Sequence, residues 1–249
     1  MTTLIAFVSQ KGGVGKSTLS RAVAREAAAS GLNVKVADLD TQQGTTVAWH
    51  RRRLDAGIEP TVSVEAFRTA EQALAQAGHY DLLIVDAPAR ASEGTRRIAE
   101  RAHLVVQPTG PALDDLQPAV LVFHELVKAG VPKSRLVFAI NQVLTEAEEA
   151  TARMYLQEAG YVAVEGYISS RAAYREAQNH GRAITETRFP ALNRKADQLI
   201  QSLINILGGT DGRSFDAQAA RPAADLGGSL DLKSTDAGDR AGASTMRRS

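Results

Sequence analysis

The residues with the clearest chemistry lie close to the start of the chain. Gln10-Lys11-Gly12-Gly13-Val14-Gly15-Lys16-Ser17-Thr18 follows an apolar run and leads into a helical pattern. A glycine-rich turn between strand and helix can point backbone N–H groups at an anion, because no Cβ stands in the way. The helix N-terminus adds a dipole that favours phosphate. In such a turn Lys16 reaches the β- and γ-phosphates of a nucleotide, Ser17 places its hydroxyl on Mg²⁺, and Thr18 binds a phosphate oxygen. The backbone of Gly12, Gly13, Val14 and Gly15 completes the cradle. Three carboxylates, Asp38, Asp40 and Asp86, sit at the ends of predicted strands. Carboxylates beside a phosphate loop can hold Mg²⁺ or its waters, and one of them can orient an attacking water.

These groups need strands that end on one edge of a sheet. Apolar runs at 4–9, 33–38, 61–64, 81–86, 104–107, 135–140 and 162–167 read as strands. Helical patterns at 17–30, 45–54, 70–77, 113–129 and 146–159 alternate with them, and Leu192, Ala196, Leu199, Ile200, Leu203 and Ile204 recur at helical spacing. The alternation predicts an α/β fold, a mostly parallel twisted sheet with helices on both faces. Ligands of such sheets bind beyond the carboxyl ends of the strands.

Composition narrows the choice. The 249 residues are 44% hydrophobic but only 5% aromatic, which suits a Val/Ile/Leu/Ala core under helices. A formal net charge of +1 names no partner, and the lack of cysteine excludes disulfides and cysteine-held zinc or iron–sulfur centres. The opening residues read as a strand rather than a leader peptide. From position 208 the chain turns to Gly, Ala, Asp, Ser and Arg, with six acidic and six basic residues that cancel. The expectation is a nucleotide-binding domain over 1–207 and a low-complexity, disordered tail over 208–249.

The phosphate loop departs from the general G-x-x-x-x-G-K-[ST] pattern, since Gln10 stands where the first glycine belongs and Lys11 precedes a glycine pair. Lys-Gly-Gly-Val-Gly-Lys-Ser-Thr resembles the deviant Walker A of the ParA/MinD family of ATPases. The resemblance implies a slow ATPase that uses ATP and Mg²⁺ and works as an ATP-dependent homodimer. It implies that Lys11 crosses the dimer interface to the partner's nucleotide. Asp40-Thr41-Gln42-Gln43-Gly44 looks like the family's switch I, with Thr41 in place of the usual proline; Asp40 then positions the water, its plainer role being a helix cap or turn. Asp86-Ala87-Pro88-Ala89 looks like Walker B and switch II, with Asp86 in the magnesium shell. Asn141, after the 135–140 strand, matches an asparagine near adenine and is equally a turn residue. Pro108 to Asp115 resembles a stretch near the dimer face and is otherwise a helix cap.

The resemblance also suggests a cargo. No DNA-reading motif precedes the loop, so the chain is similar to the short ParA type, and Arg171, Arg175 and Arg182 fall in the segment that serves nonspecific DNA binding in that family. The plainer reading is a solvated face with ion pairs to Glu176 and Glu186. The implied system segregates or positions DNA, is cytoplasmic and nucleoid-associated, and is stimulated by a ParB-like or other cargo adaptor. The alternatives are a MinD-like or protein-cluster-positioning ATPase and a metabolic P-loop ligase. Core packing of the 192–204 stripe argues against membrane binding. Arg51-Arg52-Arg53 reads as the solvated end of a helix or a second basic patch, and Trp49 as a packing residue.

Overall fold

A computed structural model describes residues 2–89 and 93–211. Seven strands form one sheet: β1 (Thr3–Ser9), β2 (Val34–Asp38), β3 (Ser63–Ala66), β4 (Leu82–Ala89), β5 (Leu104–Thr109), β6 (Leu136–Ile140) and β7 (Val162–Ala163). Their order is β3-β2-β4-β1-β5-β6-β7, and every pairing is parallel. The helices are α1 (Lys16–Ala29), α2 (Thr45–Asp55), α3 (Ala70–Leu74), α4 (Glu93–Arg101), α5 (Leu113–Lys128), α6 (Glu146–Glu158), α7 (Ala172–Asn179) and α8 (Pro190–Asp211).

Alternation along the strands divides the core. Leu4, Ala6 and Val8 of β1 face one side with Val85, Val105, Phe123 and Phe138; Ile5 and Phe7 face the other with Leu19, Val23, Ile200 and Leu203. Both faces of the sheet are thus covered, and its strands read as continuous apolar runs for that reason. The apolar stripe of α8 lies in the second cluster, as its spacing predicts. Among the described residues no helix is long and apolar enough to cross a membrane.

The differences from expectation are local. The edge strand β3 lies two residues later than 61–64, because its exposed edge gives little apolar signal. The 70–77 helix stops at Leu74, and a 3-10 turn at Ala77–His79 follows. Only Val162–Ala163 of the last expected strand pairs with β6. β4 continues to Ala89, so Asp86 lies within the strand rather than at its end. Helix α8 runs to Asp211, past the expected boundary at 207. The rest of the expected tail, 212–249, lies outside the described residues.

Arg53 corrects the reading of the arginine triplet. Arg51 and Arg52 are exposed, but Arg53 is 0% exposed. Its guanidinium donates to both carboxylate oxygens of Glu186 at 2.7 and 3.1 Å and to the carbonyls of Pro60 and Gly181. Trp49, also fully buried, donates its indole N–H to the Arg182 carbonyl at 3.0 Å. Gly181 packs so tightly on this helix that a Cβ there would lie 2.4 Å from the Arg53 nitrogen. Helix α2 is therefore fastened to the 180–187 segment rather than ending in solvent.

Candidate functional site

The central strand β1 delivers the glycine-rich turn to the carboxyl edge of the sheet, and α1 begins at Lys16. Gly15, the residue before the helix, has φ 108°, a left-handed conformation that disfavours any side chain. Lys16 is only 8% exposed. Burial pulls its amine below the ordinary lysine value, while Asp86 and Asp40 hold it up. A desolvated ammonium framed by backbone N–H groups is suited to an anion rather than to water.

The carboxylates gather beside it. Asp38 and Asp86 are register partners on β2 and β4, and both are 1% exposed. Asp38 takes the backbone N–H groups of Asp40 at 3.0 Å, Thr46 at 3.2 Å and Val47 at 3.4 Å. It therefore caps α2 and anchors the 39–44 turn, which gives it a structural job. Asp86 accepts the Thr46 hydroxyl on Oδ2 at 2.9 Å, while its buried Oδ1 has no hydrogen-bond partner. An orphaned buried carboxylate oxygen beside Ser17 fits a water of a magnesium shell. No group of three or more His, Cys, Asp or Glu among the described residues could cage a metal. Such a donor set suits an ion held chiefly by Ser17, by waters and by ligand phosphates. Asp40 is half-buried, and its Oδ1 accepts the Gln43 N–H at 3.2 Å, so the turn role is present.

Burial first, then Asp86, pushes the Asp38 carboxyl up to about 6 from 3.8. Burial raises Asp86 as well, against the pull of nearby hydroxyls and of Arg21 and Lys16. For an acid raised on folding, the native state binds the extra proton. The stabilisation is whole below pH 4 and is lost as pH climbs through about 6, a span worth on the order of 3 kcal/mol. His50, held below its usual value by burial, works in the opposite sense near the same range. Comparing variants cancels it. The unliganded Asp86→Asn protein is expected to lose less Tm than wild type between pH 5 and pH 7.5 in thermal melts. An equal loss in the two proteins would mean that the two carboxylates do not couple.

Comparison with known proteins decides what this arrangement is. A family model described as the CobQ/CobB/MinD/ParA nucleotide binding domain matches residues 5–184, well over half of the chain. The chain belongs to that family. No curated protein sequence matches it. Among solved structures it is similar to the septum site-determining protein MinD of Pyrococcus horikoshii complexed with Mg-ADP, at 18% identity and TM-score 0.66, over 84% of this chain and 99% of that one. It is similar to an ATP complex of Cyanothece McdA, at 12% identity and TM-score 0.63, over 81% and 96%. A ParA family ATPase from Chlorobium tepidum TLS matches at 17% identity and TM-score 0.59, over 82% and 99%. At these identities the likeness speaks for the fold, an α/β P-loop NTPase of the ParA/MinD type.

Within this ParA/MinD frame the other expected site residues fall in two places. Lys11 stands on the exposed side of the loop and pairs with Asp115 in the first turn of α5. The pair raises the lysine amine above its ordinary value, the hydrogen bond it donates to Asp115 being the main cause. Asn141, at the end of β6, reaches the loop backbone. Arg171, Arg175 and Arg182 lie apart from the phosphate loop, on α7 and its flanks. All three are exposed and carry no ion pair among the described residues. Glu186 is not their partner, because Arg53 and Arg25 take it; only Arg188 approaches Glu176, at 3.9 Å.

Two residues at this junction are invisible to motif reading. Gln178 on α7 accepts the Thr18 hydroxyl at 3.2 Å and Arg21 Nη1 at 3.0 Å. Arg21 also donates to Thr46 at 3.1 Å, and burial pulls its guanidinium down to about 10, leaving it a cation at neutral pH. The one available signal was spacing: Arg21 is four residues after Ser17 and shares its helix face.

Proposed function

We propose that the chain is an ATP-switched, dimerising ATPase of the ParA type that holds nonspecific DNA in its ATP state and releases it on adaptor-stimulated hydrolysis. The observation that carries this reading is the deviant loop itself, with one lysine buried in the cradle and a second, Lys11, on its exposed side. Lys16 and the loop N–H groups bind the β- and γ-phosphates, Thr18 takes a phosphate oxygen, and Lys11 supplies a positive charge to the nucleotide of a second copy. Mg²⁺, held by Ser17 and through water by Asp86, would neutralise charge between the phosphates. Asp40 orients the attacking water, and loss of the γ-phosphate removes the contacts that hold two protomers together. Turnover is slow because the protein serves as a timer.

Support for DNA as cargo comes from α7. Arg171 is the N-cap residue of α7, with an extended backbone, and Arg175 lies within the helix; both are exposed, whereas Tyr174 and Ala177 are buried. The same helix is bonded through Gln178 to Thr18, one of the phosphate-binding positions. Replacing Arg171 and Arg175 together with alanine is expected to weaken binding of the ATP form to random-sequence duplex DNA about tenfold or more at moderate salt. The slope of log affinity against log salt should fall by nearly two, with ATP binding spared. Fluorescence anisotropy across a salt series measures both. An unchanged slope would place the DNA face elsewhere, and an ATP dimer indifferent to DNA would favour a protein cargo.

A further inference from the structure

We propose that Asn141 and Gln142 form a brace that presets the phosphate loop, making both of them positioning residues for nucleotide binding. Asn141 follows β6 and donates its own N–H to the Thr109 carbonyl at 2.8 Å, which fixes it to the sheet. Its Nδ2 donates to the Val14 carbonyl at 2.8 Å, and its Oδ1 accepts the Gln142 N–H at 2.8 Å. Gln142 then donates its Nε2 to the Gly13 carbonyl at 2.6 Å. Two consecutive loop carbonyls are thus tied to one turn at the end of a buried strand.

The geometry of the peptide unit gives this a consequence. A carbonyl and the N–H of the following residue belong to one trans, planar group and point in opposite directions. Holding the Gly13 and Val14 carbonyls toward 141–142 turns the N–H groups of Val14 and Gly15 away from it. Those are donors that a phosphate loop must present to its anion. The approach is close enough that a Cβ at Gly15 would lie 1.9 Å from Asn141 Nδ2.

Gln142 also accepts a conformational cost. Its φ of 60° makes it the one non-glycine residue with positive φ among the described residues. That region costs a long side chain about 1 kcal/mol or more, and glycine or asparagine would sit there more cheaply. Neither glycine nor the shorter asparagine spans to Gly13 as the Gln142 amide does. A strained residue retained for its reach points to a function. With its oxygen on the Gln142 N–H and one amide hydrogen on the Val14 carbonyl, Asn141 acts on the cradle.

The inference rests on the loop being a phosphate site, and the experiment separates the two. Calorimetry measures the affinity of full-length protein for ATP and for inorganic tripolyphosphate, each with Mg²⁺, in wild type, Gln142→Gly and Asn141→Ala. Gln142→Gly removes the reach while relieving the backbone, so its Tm without ligand should stay close to wild type or rise. The brace predicts that this variant weakens both ligands by the same factor, about five- to tenfold, with Asn141→Ala at least as severe on both. Unchanged affinities in Gln142→Gly overturn it. So does a loss for ATP without a loss for tripolyphosphate, which would place these amides on the base. Wild-type protein that binds neither ligand would overturn the phosphate reading, and the brace with it.

Discussion

Asp40→Ala is expected to bind ATP as tightly as wild type, to hydrolyse it at least about 100-fold more slowly, and to accumulate as a dimer. The substitution spares the scaffold. The Asp40 backbone N–H still reaches Asp38, and its carbonyl still accepts the Gly44 N–H at 2.7 Å; what goes is the hydrogen bond from Gln43 and the carboxylate charge near Lys16. A fall in turnover would therefore report the carboxylate and not a collapsed turn. Gel filtration with ATP or ADP, with and without random-sequence DNA, separates the states, and radiolabelled phosphate release gives the rate. Normal turnover in this variant would confine Asp40 to its turn role and return the water-positioning task to an unassigned group.

Lys16→Ala should cost more at an earlier step. The amine is buried, and its ordinary charge balance is supplied by Asp86 and Asp40. Removing it takes away the buried amine beside those carboxylates, and on the proposed function it deletes charge-assisted bonds to phosphate worth about 1.5–3 kcal/mol each. Nucleotide affinity is expected to fall at least about 100-fold, beyond detection in an ordinary titration. On the proposed function the ATP dimer and retention on DNA should go with it, since both then hang on the same bound triphosphate. Tight ATP binding by the variant would refute the assignment of the loop.

Much of this architecture is readable in the chain because strand and helix carry different periods. The continuous run Leu82-Leu83-Ile84-Val85 reads as a strand covered on both sides, and β4 is that strand. The loop is legible because its residues are contiguous. Helix α4 is not, since only Thr95, Ile98 and Ala99 are buried in a stretch otherwise charged. Arg53 looks like surface from its neighbours, and its burial is decided by Glu186, 133 residues away. The contacts of Asn141 and Gln142 with the loop span 127 and 129 residues. Local pattern carries no information about such pairs; they arise from strand order, which sets β1 and β6 on either side of β5.

The fastening of α2 has a mechanical corollary. With Arg53 clasping Glu186, the indole of Trp49 bonded behind it and Gly181 against its backbone, this helix cannot swing without tearing open a buried polar cluster. On the proposed function, a rearrangement that follows arrival or departure of a γ-phosphate would then fall to the short span 39–44. That span, tethered at one end to Asp38 and at the other to a helix bonded to 180–187, would then work as a small latch.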